Sequence, residues 1–69
     1  MTDLNAQLLA AHSTGDTYAL VALYTQAADQ APDTDAACFF LTHAYIFALE
    51  TAHPDAGPLH ARLKSQGRV

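Results

Sequence analysis

Turn residues punctuate this chain at intervals that leave room for helices and little else. Thr14-Gly15-Asp16, Ala31-Pro32-Asp33-Thr34-Asp35 and His53-Pro54-Asp55-Ala56-Gly57-Pro58 interrupt the sequence, and Gly67 marks a further stop. Between these marks apolar residues recur at three- and four-residue spacings and do not alternate, which is the pattern of amphipathic helices and not of strands. The expected elements span about 3–14, 16–31, 35–52 and 55–66. Connections of two to four residues force sequential helices to be antiparallel. The expected fold class is therefore all-α, with four antiparallel helices forming two stacked helical hairpins, 3–31 and 35–66, in a single domain 1–69.

Caps and stripes support each boundary. Thr2 or Asp3 is placed to cap the first helix, Asp16 the second, Asp33 or Thr34 the third and Asp55 the fourth, because a short polar side chain can accept the orphan amides of a first turn. Gly15 can end the first helix in the left-handed conformation that other residues adopt at a cost. Leu4, Leu8 and Ala11 share one face of the first helix; Leu20, Leu23, Tyr24, Ala27 and Ala31 form the stripe of the second; Leu59 and Leu63 lie four apart on the fourth. Pro58 is tolerable in a first turn, where its missing amide has no intrahelical acceptor.

The third segment carries more apolar surface than its own stripe needs. Residues 38–49, CFFLTHAYIFAL, hold ten apolar residues in twelve. On a helical wheel Cys38, Leu41, Ala44, Tyr45, Ala48, Leu49 and Ala52 form one broad stripe, sufficient for packing on the rest of the chain. Phe40 with Phe47 then makes a second ridge and Phe39 with Ile46 a third, with His43 and Glu50 between them. The run from Ala36 to Leu49 is at most fourteen residues, short of the roughly twenty that span a bilayer. A central helix touching the first, second and fourth can absorb one extra ridge, but two are hard to absorb. A chain of 69 residues buries only about 60% of its unfolded surface, and fifteen of its residues are alanines with little area to bury. The expectation is that at least one ridge is covered by another protein, most simply by a second copy in a two-fold homodimer whose third helices meet. The interface residues expected are Phe39, Phe40, His43, Ile46, Phe47 and Glu50. Tyr18 and Val21, lying off the stripe of the second helix, are further surface candidates.

The two halves also echo each other. Ala10 aligns with Ala44 at an offset of 34, and Asp16, Leu20, Ala22 and Tyr24 align with Asp55, Leu59, Ala61 and Leu63 at an offset of 39, as in a repeated helical hairpin. Gly15-Asp16, Tyr24, Ala27 and Pro32, followed by Leu41, Thr42, Ala44 and Tyr45, resemble the tetratricopeptide repeat family in residue type and spacing. The resemblance covers residues 3 to about 50 and is looser beyond. Leu4, Gln7, Leu8 and Leu20 depart from the family's usual residues, and a Pro-rich stretch replaces the second Gly-Asp turn. Such a resemblance implies stacked hairpins and protein or peptide binding without catalysis.

Composition narrows the classes. A formal charge of −4 with three Lys and Arg in all, Arg62, Lys64 and Arg68, argues against nucleic-acid binding. These cations lie near the last helix terminus, where they complement its dipole or form a docking patch. One cysteine, Cys38, permits no internal disulfide, and Met-Thr-Asp lacks a basic signal-peptide opening, so a cytoplasmic location is expected. Abundant alanine beside a single lysine fits a high-GC bacterial origin. The four histidines, His12, His43, His53 and His60, show no HxxxH or HExxH spacing, so no metal ligand set and no cofactor is expected. Cys38 sits in an apolar stripe without a basic neighbour to activate it. The reading is a non-catalytic protein acting by association with itself or another protein, with no nucleic-acid or membrane partner. The alternative is a small-molecule or metal binder whose site forms at a dimer interface.

Overall fold

Aspartates open three of the helices. In the computed structural model, which describes residues 3–69, Asp3 accepts the Asn5 amide at 3.0 Å, Asp16 that of Ala19 at 3.1 Å and Asp33 that of Ala36 at 2.8 Å. Thr2, the other cap candidate for the first helix, lies outside the described residues. The helices are α1 (Leu4–Thr14), α2 (Thr17–Asp29), α3 (Thr34–Glu50) and α4 (Ala56–Ser65), and no strand occurs among the described residues. Asp55 stands at the N-cap of α4, but its side chain makes no capping bond. Its backbone amide donates to Nδ1 of His53 at 3.0 Å instead.

Two of the helix ends differ instructively. Gly15 closes α1 at φ 70°, donating to the carbonyls of Ala11 and His12. α3 stops at Glu50, short of the expected residue 52, and Ala52 takes the left-handed conformation at φ 51°. The amide of His53 then donates back to the Ala48 carbonyl at 2.8 Å. An alanine there bears a steric cost that glycine does not, which is why the sequence carries no visible stop.

The hairpins α1–α2 and α3–α4 stack through α2 and α3. Each helix packs closely only on its neighbours in sequence. The Cα extents are 32 × 28 × 14 Å, so the array is thin. Hence α3 touches two helices and not the three expected; α1 reaches it through side chains alone, the rings of His12 and Phe47 being 6.2 Å apart.

Alanines fix how close the helices come. Val21 and Ala28 of α2, Cys38, Leu41, Ala44 and Ala48 of α3, and Leu59 and Leu63 of α4 form one buried cluster. Ala44 and Ala48 are wholly buried, and their small side chains let α3 approach its neighbours while leaving the large residues of α3 at the flanks. Leu20, Ala27 and Ala11 are buried outside that cluster, on the side of α2 where α1 packs. α2 therefore has two buried faces. Exposed ion pairs reinforce the far edge, Arg62 with Asp29 at 2.8 Å and Arg68 with Asp35 at 2.5 Å. Exposed pairs of this kind contribute little stability each, but they tie α4 to the end of α2 and the C-terminal residues to the start of α3.

Candidate functional site

Packing divides the apolar surface of α3 into three parts. Cys38, Leu41, Ala44 and Ala48 face the core. Phe40 and Phe47 are half-buried and pack against the same cluster, so the second ridge belongs to the chain's own fold. Tyr24 of α2 is the hub there: its ring centroid lies 5.7 Å from that of Phe47, 6.3 Å from Phe40 and 5.3 Å from His43.

The third ridge stays open. Phe39 is 60% exposed and Ile46 47%. Leu49, which the wheel assigns to the buried stripe, is 58% exposed and joins them. This corrects the expected stripe: with only α2 and α4 as neighbours, the arc that α3 can bury ends at Cys38 and does not reach Leu49. The exposed residues Asp35, Phe39, Thr42, Ile46 and Leu49 follow one another at intervals of four, three, four and three along one side of the helix. Of that seam only the ridge of Phe39 and Ile46 was legible in the sequence, since on a helix apolar on three sides nothing local says which stripe faces inward.

Side chains at its margin are already held. His43 Nδ1 lies 2.9 Å from the Phe39 carbonyl and so must carry the proton and donate, since a carbonyl oxygen only accepts. The His43 ring packs on Phe39 at 4.6 Å and stacks on Tyr24. Thr42 donates its hydroxyl to the Cys38 carbonyl at 2.8 Å, which satisfies its polar group within the helix. Glu50 is exposed at the C-terminal end of the seam. At the N-terminal end a groove of about 450 Å³ is lined by Asp35, Cys38, Phe39, Thr42, His43 and Arg68. The hydrogen bond from Arg68 to Asp35, with smaller electrostatic contributions from Cys38 and Asp35, raises the guanidinium pKa above its already high ordinary value.

The two secondary candidates part company. Tyr18 is 55% exposed, with one side of its ring against His53 at 4.3 Å. Val21 is 0% exposed, in the core between α2 and α3. It is not a surface residue, because α2 has a helix on either side and buries two faces where the sequence reading allowed one. A second apolar groove, about 340 Å³ and lined by residues including Leu4, Leu8, Ala31, Pro32 and Phe40, opens beside α1.

No three His, Cys, Asp or Glu side chains converge as a metal site would require among the described residues. Cys38 is buried and unpaired with any other cysteine. No described helix is long and apolar enough to cross a membrane. Comparison with known proteins returns no match: no protein-family model, no curated protein and no solved structure matches the chain.

Proposed function

We propose that this protein is a non-catalytic, tetratricopeptide-like pair of helical hairpins that works by protein association, forming a homodimer through the outward side of α3. The observation that carries this reading is the half-exposure of Phe39, Ile46 and Leu49 on one side of the central helix. Burying a large apolar side chain fully is worth about 1.5–3 kcal/mol, so three residues roughly half-exposed leave about 2–5 kcal/mol per copy ungained. Of the six residues expected at the interface, Phe39, His43, Ile46 and Glu50 remain in that role, whereas Phe40 and Phe47 serve the fold.

Mass in solution tests the reading. Light scattering over a concentration series from micromolar to millimolar is expected to show a monomer turning into a dimer, and Ile46→Asp is expected to stay monomeric with unchanged helicity. A wild-type chain that remains monomeric throughout overturns the proposal. Phe47→Asp is the wrong probe, because that ring packs on Tyr24 and His12 inside one chain.

A further inference from the structure

We propose that the turn between α3 and α4 is an acid-sensitive latch: protonation of His53 breaks the bond from the Asp55 amide, and α4 comes away from α3 before the rest of the fold opens.

Among the described residues three histidine rings make hydrogen bonds, and only one of these bonds is incompatible with a charged ring. His43 donates from Nδ1 to the Phe39 carbonyl, and a second proton leaves that bond in place. His12 faces the Tyr24 hydroxyl, which can accept as readily as donate. His53 differs. Its Nδ1 lies 3.0 Å from the amide nitrogen of Asp55, and an amide N–H only donates, so the ring must be neutral with its proton on Nε2. A proton on Nδ1 would set donor against donor. The ring has little water to turn to, since its side chain is 8% exposed and the Tyr18 ring of α2 lies against it at 4.3 Å. The Tyr18 phenol and the Asp55 carboxylate are the titratable groups that face it; among the described residues α3 and α4 bring no charged side chain within ion-pairing distance. Oδ2 of Asp55 stands 3.8 Å from Nδ1 on a side chain that is 53% exposed, where a charge pair is worth little and does not replace the lost bond.

His53 closes the turn from both sides. Its amide donates to the Ala48 carbonyl at 2.8 Å and its carbonyl accepts from the Ala56 amide at 3.1 Å. Ring and backbone together pin the residue that follows Ala52, which is held left-handed at φ 51° against its own preference. Asp55 gives α4 no side-chain cap, and α4 packs closely on α3 alone. Loss of the ring's bond therefore falls on a strained turn and on a helix with one close neighbour. Displacing α4 also opens Cys38 to solvent. That residue is 3% exposed, beside a cavity of about 150 Å³ that Arg62, Ser65 and Gln66 wall from the α4 side.

Cys38, the single thiol of the chain, reports on α4: its rate of reaction with a dipyridyl disulfide in dilute samples reads the population in which the helix is displaced. The rate is to be compared one pH unit above and one below the ordinary imidazole value of about 6.5, in the wild type and in His53→Asn, so that the thiol's own titration cancels. Asn keeps a side-chain acceptor two residues before the amide, as Asp3 does for Asn5 at 3.0 Å, but takes up no proton. The open turn binds a proton that the closed one refuses, so opening gains as pH falls. The wild-type rate relative to that of His53→Asn should rise about 3- to 10-fold across this range. Asp55→Asn should keep the rise, and wild-type amide exchange, corrected for intrinsic rates, should quicken in α4 ahead of α1 and α2. A ratio that stays constant or falls overturns the latch, as does loss of the rise in Asp55→Asn. Acid opening that begins in α1 overturns it independently of either variant.

Discussion

The hydroxyl of Tyr24 and Nε2 of His12 meet at 2.9 Å, joining the last turn of α1 to the middle of α2 directly beside Phe47. α1 packs closely on α2 alone, so this bond and the ring contacts around it hold much of the first helix in place. Tyr24→Phe removes the bond and keeps the ring. The expected loss is about 0.5–1 kcal/mol, small because the pair is exposed to water, and it should appear first as faster amide hydrogen exchange in α1. Tyr24→Ala also empties the space shared by Phe40, His43 and Phe47, and is expected to cost about 2–4 kcal/mol. Equal losses for the two variants would mean that the ring cluster contributes little.

Val21 and Tyr18, three residues apart on α2, are expected to respond in opposite ways. Val21→Ala leaves a void in a fully buried site, at a cost of about 1.5–3 kcal/mol, or roughly 6–24 °C in melting temperature for a domain of this size. Tyr18→Ala uncovers one side of His53 and should cost well under 1 kcal/mol. Thermal unfolding of the two variants side by side checks the assignment. Similar small effects would place Val21 on the surface after all.

Legibility follows how local the cause is. Asp3, Asp16 and Asp33 act on amides two or three residues away, and Gly15 acts on its own backbone, so three helix starts and the first stop could be read directly from the chain. The end of α3 could not, because Ala52 is held left-handed against its own preference by the bonds around it. The facing of Val21 and Leu49 is also non-local: it depends on how many helices lie beside α2 and α3. A pairwise-packed thin array gives α2 two buried faces and leaves α3 one open, and no stripe within either helix records that. The division of the phenylalanines has the same origin. Phe39 and Phe40 are adjacent in sequence, and only the position of α2 makes one half-buried and the other exposed.

Ala52→Gly is expected to stabilise the protein. The left-handed conformation costs an L-residue about 1–2 kcal/mol, and part of the relief is offset by the extra freedom glycine brings to the unfolded chain, about 0.4–1 kcal/mol. A net gain near 0.5 kcal/mol, or a few degrees in melting temperature, should follow. Gly15→Ala, at φ 70°, should lose stability for the mirror reason. If Ala52→Gly destabilises, the turn between α3 and α4 is not held as described.

Phe39 and Phe47 test the division of labour on α3 most directly. Phe47→Ala removes a ring packed on Tyr24, His12 and the core cluster, and should lower the melting temperature equally at every protein concentration, by about 2–3 kcal/mol of stability. Phe39→Ala removes a ring that is 60% exposed and should change the melting of a dilute sample by no more than about 0.5 kcal/mol. Mass action supplies the contrast: a dimer binds only folded chains, so the wild-type melting temperature should rise with concentration. Phe39→Ala should flatten that rise and Phe47→Ala should keep its slope. A slope unaffected by Phe39→Ala would mean that the open seam of α3 is not where the copies meet.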